Sequence, residues 1–169
     1  MIHRRRSTAS ISPATAFAKL GSPDMTCMTV VAFDLNDLKK VNERLGHAEG
    51  DCLISTAASL IRAHFNGLPG SLAARIGGDE FIVLVPGHSP ASVASSAQTA
   101  CSAVADLSFG AGASCGMATA DGTQGDVSVR DLFRRADAAL YRSKRAGRLV
   151  ALDAAGLAIP KVDQSVMGQ

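Results

Sequence analysis

Apolar and polar residues follow one another along the chain in blocks that predict strands and helices. Unbroken apolar runs with β-branched residues indicate buried strands, and apolar residues three and four apart indicate amphipathic helices. Strands are predicted over residues 25–33, 72–76, 81–85, 109–119 and 149–152. Helices are predicted over residues 14–20, 38–45, 51–65, 91–107 and 129–145.

The order of these elements predicts the fold class. Residues 77–80 are too few to join the second and third strands in any way other than a hairpin. The order β-αα-β-β-α-β-α-β predicts an α/β chain, an α+β sandwich of the ferredoxin-like kind with a split βαβ core. We expect a mixed central sheet with flanking helices, placed on one face.

Composition excludes several classes of protein. The chain has 169 residues, enough for one domain, with 17 Lys and Arg against 15 Asp and Glu. This balance is unlike that of disordered chains or of proteins that coat nucleic acids. No apolar run approaches the roughly 18 residues of a membrane span, so no membrane contact is predicted. The chain has no Trp and a single Tyr, so it offers few aromatic side chains on which the bases of single-stranded nucleic acid could stack. No nucleic-acid partner is therefore predicted.

The four cysteines indicate a reducing compartment. They are Cys27, Cys52, Cys101 and Cys115, and none of their spacings is typical of a metal site. Each lies in an apolar stretch, which predicts small core residues with reduced thiols. Because no targeting signal is evident, the cytoplasm is the predicted location.

Acidic residues at two places indicate a divalent cation. Asp34 ends the first strand, and Asp79 and Glu80 follow Gly77 and Gly78 at the hairpin tip. If the strands are neighbours, these carboxylates repel one another, and Mg²⁺ bound with substrate phosphates relieves the repulsion. The two glycines let a bulky ligand approach the backbone. A plain turn with solvated carboxylates remains the alternative.

Phosphates need positive partners, and the sequence offers several. Backbone N–H groups of the helix after the first strand can bind an anion, as can Lys39, Lys144 and Arg148. Favourable charge at a helix end, or a solvated face, is the alternative reading of these basic residues. Asn42 and Asp51, with His47 between them, offer an amide and a carboxylate for the polar edge of a base, or simply serve as caps.

Together these motifs resemble one family. Residues 75–81 (RIGGDEF) resemble the signature of GGDEF-domain diguanylate cyclases, and residues 33–42, 45–51 and 136–148 match its other blocks. The resemblance covers residues 25–152, leaving residues 1–24 as a divergent or truncated opening segment and residues 153–169 as a flexible tail. It implies a fold similar to the palm of nucleotide cyclases and polymerases.

The resemblance also implies an activity and roles for residues. Two GTP molecules would be condensed to cyclic di-GMP and pyrophosphate with Mg²⁺, across two facing GGDEF domains. Mg²⁺ would be held by Asp34, the Leu35 carbonyl, Asp79 and Glu80, the last two also being candidates to activate the 3′-hydroxyl. The other implied contacts are guanine to Asn42, Asp51 and His47, and phosphates to Lys39, Lys144 and Arg148, with Gly77 and Gly78 at the signature.

Departures from the family pattern are also visible. Asn36 stands where the family usually has a second acid, and Leu68 and Ser71 stand at the offset of a product-inhibition motif. Feedback inhibition through that motif is therefore not expected. A sensor or dimerisation domain is expected in the parent protein. The alternative function is a catalytically silent GTP-binding regulatory module on the same fold.

Overall fold

Nine elements make up the parts of the chain that the structure, a computed structural model, describes: residues 27–121, 128–147 and 150–152. In chain order they are β1 (Cys27–Asn36), α1 (Leu38–Leu45), α2 (His47–Phe65), β2 (Leu72–Arg75), β3 (Glu80–Pro86), α3 (Pro90–Ala105), β4 (Gly112–Asp121), α4 (Val129–Arg145) and β5 (Val150–Leu152). The predicted helix over 14–20 and the tail after 152 lie outside the described residues.

Every predicted element that falls on described residues is present, but several bounds shift, by up to four residues, and one shift matters for the site. The bounds predicted for α1 and α4 are those observed. Helix α2 begins at His47, whereas the prediction began it at residue 51. The reason is Gly46, whose φ of 97° turns the chain sharply and lets a new helix start at the next residue.

The sheet is mixed, as predicted, with β1 at its centre. Its strand order is β2-β3-β1-β4-β5. Strand β1 pairs antiparallel with both β3 and β4, and β5 pairs parallel with β4. The hairpin between β2 and β3 is confirmed by their antiparallel pairing. Strand β1 is hydrogen-bonded to a neighbour on each edge, so it lies in the interior of the sheet, where an apolar sequence is expected.

Helices cover both faces of the sheet, so the expectation that they lie on one face is wrong. Val31 and Phe33 face a core shared with α2 and α3, whereas Val30 and Ala32 face a second core shared with α4. The physical reason is that β1 is apolar at successive positions, and both of its faces must be shielded from water.

Helix α4 packs unusually close to the sheet at Gly116 of β4. A Cβ atom built there would lie 2.1 Å from the Leu140 nitrogen and 2.3 Å from the Ala136 oxygen, both backbone atoms. Because a glycine occupies this position, the helix backbone can rest directly on the strand. The last turn of α4 is thereby brought towards the end of β1.

The cysteines divide into two groups. Cys101 and Cys115 are buried and Cys27 is partly buried, but Cys52 is exposed on α2, so its predicted place in the core is wrong. The error arises because residue 52 begins an apolar stretch yet lies on the outer side of the helix. Burial, followed by the hydrogen bond and charge of Cys101, raises the pKa of the Cys115 thiol well above its ordinary value.

None of the helices in the described residues is both long enough and apolar enough to cross a membrane.

Candidate functional site

The end of β1 and the tip of the β2–β3 hairpin meet through a backbone hydrogen bond. The Leu35 N–H donates to the Asp79 carbonyl at 3.0 Å. In the ladders, Asp34 lies opposite Glu80 on β3 and opposite Ser114 on β4. The structure therefore brings together the two acidic clusters that the sequence predicts at one edge of the sheet.

A lysine of α4 completes this cluster. The Lys144 ammonium nitrogen lies 2.5 Å from Oδ1 of Asp34, whose side chain is only 14% exposed. The carboxylate is thus mostly withdrawn from water and is neutralised by a cation from a distant part of the chain. The predicted basic helix end and the predicted acidic strand end form one site. Arg148, the other basic residue predicted there, lies outside the described residues.

A cavity of about 650 Å³ with charged residues in its wall contains the Asp34–Lys144 pair. Three acids and three lysines contribute to its wall: Asp34, Asp37, Asp79, Lys39, Lys40 and Lys144. Leu35 also lines it, and because the Leu35 side chain is buried in the core, it offers the cavity its backbone. A mixture of carboxylates and ammonium groups around an open cavity suits a ligand that carries phosphates and a cation.

The start of α1 contributes a second feature of this cavity. Asp37 precedes the helix with a φ of 61°, in the left-handed region. Within the described part of the chain, no side chain caps the first amides of α1, whose residues Leu38 and Lys39 line the cavity. Uncapped N–H groups at a helix start favour an anion. This agrees with the phosphate role predicted for these amides.

A second cavity, of about 420 Å³, adjoins the first. The residues common to both are Leu38, Lys39 and Asp79. Its other walls are formed by Asn42, Glu43, His47 and Gly78. The two cavities therefore form a continuous surface, with the metal-type ligands at one end and the predicted base-reading residues at the other.

The side chain of Asn42 lies in a space that Gly50 leaves open. A Cβ atom at Gly50 would lie 1.8 Å from Oδ1 of Asn42, so the amide side chain occupies the space that only glycine leaves free. Asp51 is exposed and does not belong to the described residues that line the cavity. It lies four residues after His47 on α2, hence on the same side of the helix one turn further on.

Glu80 takes a different position from Asp79. Although Glu80 lies opposite Asp34 in the ladder, a Cβ built on Gly77 would lie 2.5 Å from Oε2 of Glu80. Its carboxylate is therefore folded back towards Gly77, and neither residue is among the described residues that line the two cavities. Of the acids in the two predicted clusters, Asp34 and Asp79 line the larger cavity and Glu80 does not.

The donor set fits a magnesium ion that arrives with its substrate. Among the described residues there is no cluster of three or more Asp, Glu, His or Cys side chains suited to a metal. Mg²⁺ is usually bound by one or two carboxylates together with waters and substrate phosphates, and it does not need a full protein cage. Asp34 and Asp79 would provide the two carboxylates, and the lysines would face the phosphates.

Several residues that line the cavities were not predicted from the sequence, among them Asp37, Lys40, Glu43 and Ser114. Ser114 lines the larger cavity, and the Asn36 amide donates a hydrogen bond to its hydroxyl at 3.0 Å. Nothing near residue 114 indicates a site, since Ser114 reaches it only through the pairing of β4 with β1. The pair satisfies Asn36, the residue that stands in place of an acid.

Three features are typical of a nucleotide-cyclase-like palm domain. They are the mixed five-stranded sheet, the acid at the end of its central strand and the Gly-Gly-Asp-Glu hairpin beside that strand. Comparison with known proteins makes this more specific. The family model "Diguanylate cyclase, GGDEF domain" matches residues 6–149. The chain therefore belongs to the GGDEF domain family.

Individual relatives agree with this assignment. The chain is 44% identical over 124 residues to an uncharacterized protein in the hutH 5′ region of Streptomyces griseus, covering 73% of the chain and 52% of that protein. It is 30% identical over 122 residues to the diguanylate cyclase DgcS of Shewanella oneidensis, covering 72% of the chain and 40% of DgcS. The chain thus spans about half the length, or less, of these curated relatives.

Solved structures show the same fold. The GGDEF domain of DgcB from Caulobacter crescentus, crystallised in complex with c-di-GMP, superimposes with a TM-score of 0.68 at 29% identity. The match covers 83% of this chain and 82% of that one. The fold that the resemblance implied is confirmed.

Proposed function

We propose that this chain is a diguanylate cyclase domain, which condenses two GTP molecules to cyclic di-GMP and pyrophosphate with Mg²⁺. The observation that carries the proposal is that Asp34, Asp79 and Lys144 line one cavity, which adjoins a second cavity at Asp79. One cavity has the charges needed for a triphosphate, and the other has the amide and imidazole suited to a base. Family membership and the DgcS relative support the same reaction.

The position of the nucleotide follows from the two cavities. The triphosphate occupies the larger one, near the α1 amides and the ammonium groups of Lys39 and Lys144. The base occupies the smaller one, against Asn42 and His47. Guanine carries an N1–H and an exocyclic amine, which a carboxylate accepts together, and Asp51 is the nearest acid along that side of α2. Arg148 is assigned to the phosphates through the family motif alone.

The chemistry requires two nucleotides to face each other. The 3′-oxygen of one GTP bonds to the α-phosphorus of the other, the bond from that phosphorus to pyrophosphate breaks, and the hydroxyl proton passes to a base. A bound Mg²⁺ supplies neutralisation of the phosphate charge that develops during the transfer. Asp34, Asp79 and the Leu35 backbone would hold it, while Glu80, exposed at the hairpin, is a candidate to accept the proton.

A single domain offers one such site, so turnover needs a second copy. We infer that two GGDEF domains meet with their hairpins facing, so that each presents one GTP to the other. A sensor or dimerisation domain elsewhere in the parent protein would set that encounter. Each of the two bonds in cyclic di-GMP is then formed by the same reaction with the roles of the nucleotides reversed.

The second candidate is a GTP-binding regulatory module without turnover. The observation in its favour is the Glu80 carboxylate, which is folded back towards Gly77 and away from the cavities. In such a module GTP binds as described, but no carboxylate is placed to accept the proton of the 3′-hydroxyl. This alternative keeps every binding contact and loses only the transfer step.

The decisive experiment measures product formation by the purified chain. We expect GTP and Mg²⁺ to give cyclic di-GMP by chromatography, with a rate that rises with protein concentration or on fusion to a dimerising coiled coil. Asp79→Asn should abolish turnover, whereas Asp106→Asn, an exposed acid at the end of α3, should leave it unchanged. GTP binding without product in the coiled-coil fusion would favour the regulatory module.

A further inference from the structure

Arg75, the last residue of β2, uses its guanidinium to hold the tip of the hairpin. Its Nε donates to the Gly77 carbonyl at 2.9 Å and to the Gly78 carbonyl at 3.2 Å. Its Nη2 donates to the Gly78 carbonyl at 2.8 Å. The side chain itself is exposed, so these hydrogen bonds are made at the surface and contribute little to the core.

The strands do not need these bonds in order to pair. Arg75 lies opposite Phe81 in the ladder, and the Ile76 N–H donates to the Glu80 carbonyl at 3.0 Å. The hairpin is thus closed by backbone pairing alone. What the guanidinium adds is confined to Gly77 and Gly78, the two residues with the greatest intrinsic backbone freedom.

Holding the Gly78 carbonyl fixes the residue that follows. A peptide group is planar and trans, so the direction of the Gly78 carbonyl also sets the direction of the Asp79 N–H. On its other side, Asp79 is fixed because its carbonyl accepts from the Leu35 N–H at 3.0 Å. The backbone of Asp79 is therefore held by Arg75 before it and by β1 after it.

We propose that Arg75 is a positioning residue that orients the Asp79 carboxylate towards Asp34 and the nucleotide-bound metal. This inference rests on the proposed function, because it assigns Asp79 to that metal. An arginine is required, since its planar fork reaches two carbonyl oxygens at once, whereas a lysine ammonium is a single point charge. Without the guanidinium, Asp79 samples many orientations. Binding the metal then has to order Asp79, and this costs conformational entropy.

The test separates orientation from stability and charge. The variants are Arg75→Ala, Arg75→Lys and, as the matched control, Arg62→Ala, whose arginine lines the same small cavity of about 170 Å³ beside α2. The first readout is backbone amide order by NMR in the nucleotide-free protein. Arg75→Ala should lower the order of Gly77, Gly78 and Asp79 and leave the amides of β3 unchanged, while Arg62→Ala changes neither.

The second readout is nucleotide affinity with and without a metal. With Mn²⁺ as the probe, Arg75→Ala should weaken GTP binding about tenfold, the scale of one lost hydrogen bond to a charged group. GTP binding in EDTA should change less than about twofold, because the other contacts remain. In turnover, KM for GTP should rise about as much as the Mn²⁺-dependent affinity falls, and kcat should fall as well. Arg75→Lys should restore neither the order nor the Mn²⁺-dependent affinity, although it keeps the charge.

Three results would overturn the proposal: unchanged order at the tip in Arg75→Ala, equal loss of affinity with and without Mn²⁺, or full rescue by lysine. Failure of the proposed function looks different. A coiled-coil fusion of the wild-type chain that binds GTP but forms no product would refute the cyclase, while the NMR and Mn²⁺ measurements would still decide the role of Arg75. If the wild-type chain binds no GTP, the amide order of Gly77, Gly78 and Asp79 measured by NMR still decides the role of Arg75.

Discussion

Lys144 is paired with a carboxylate that the proposed reaction assigns to the metal, and this makes a sharp prediction. In the free protein its ammonium neutralises Asp34, yet with nucleotide bound it is assigned to the phosphates. On the proposed function, metal and ammonium would compete for Asp34 until a triphosphate binds Lys144. Removing the ammonium by Lys144→Met should strengthen binding of a divalent ion on its own and weaken binding of GTP.

The size of the effect follows from the ion pair. At 2.5 Å, an effective dielectric constant of about 20 gives about 7 kcal/mol of Coulomb attraction before any cost is counted. Lys144 is 39% exposed, so solvent screening and desolvation cancel most of this, and exposed pairs retain only about 1 kcal/mol or less. Because Asp34 is largely buried, we expect about 1–2 kcal/mol, or about 5- to 30-fold tighter ion binding.

The assay is a Mn²⁺ titration followed by electron paramagnetic resonance, repeated with GTP present. Lys40→Met is the matched control, because Lys40 lines the same cavity but pairs with Asp37 at 2.7 Å. We expect the control to change Mn²⁺ affinity by less than about twofold, through long-range charge alone. Unchanged or weaker Mn²⁺ binding by Lys144→Met, or an equal gain in the control, would show that Lys144 does not compete with the metal ion for Asp34.

Three further substitutions test the remaining parts of the site and fold. Gly50→Ala places a methyl group 1.8 Å from the Asn42 oxygen, so GTP affinity should fall about tenfold by calorimetry, while Gly67→Ala, whose Cβ meets no described atom within 4 Å, should leave it unchanged. Gly116→Ala drives a methyl group into helix backbone, and urea denaturation should show a loss of about 3 kcal/mol or more; an unaltered midpoint would contradict the packing. Asp51→Ala should reduce the preference for GTP over ATP in competition binding while Mn²⁺ affinity stays the same, and an unchanged preference would remove Asp51 from guanine recognition.

Local features of the fold were predictable because each is encoded within a few consecutive residues. The bounds of α1 and α4 follow from apolar spacing, and the hairpin follows from the short 77–80 connection. The early start of α2 was not predictable in the same way, because helical spacing of apolar residues begins only after its first turn. Periodicity reports the buried side of a helix and says little about an exposed first turn.

The sequence alone shows which residue types could carry the chemistry and in which motifs they stand. Asp34, Asp79 and Lys144 were all identified as candidates before their positions were known. Their proximity depends on the folded chain, because β1 pairs with β3 on one side and α4 packs against β4 at Gly116.

The same cause explains what the sequence left out. Ser114 enters the site through the register of β4, and Arg75 gains its role through the direction in which the Gly77 and Gly78 carbonyls point. Contacts between residues far apart in sequence, and the orientation of single peptide groups, depend on how all elements pack together. No local pattern of residues encodes them, which is why they emerge only when the chain is folded.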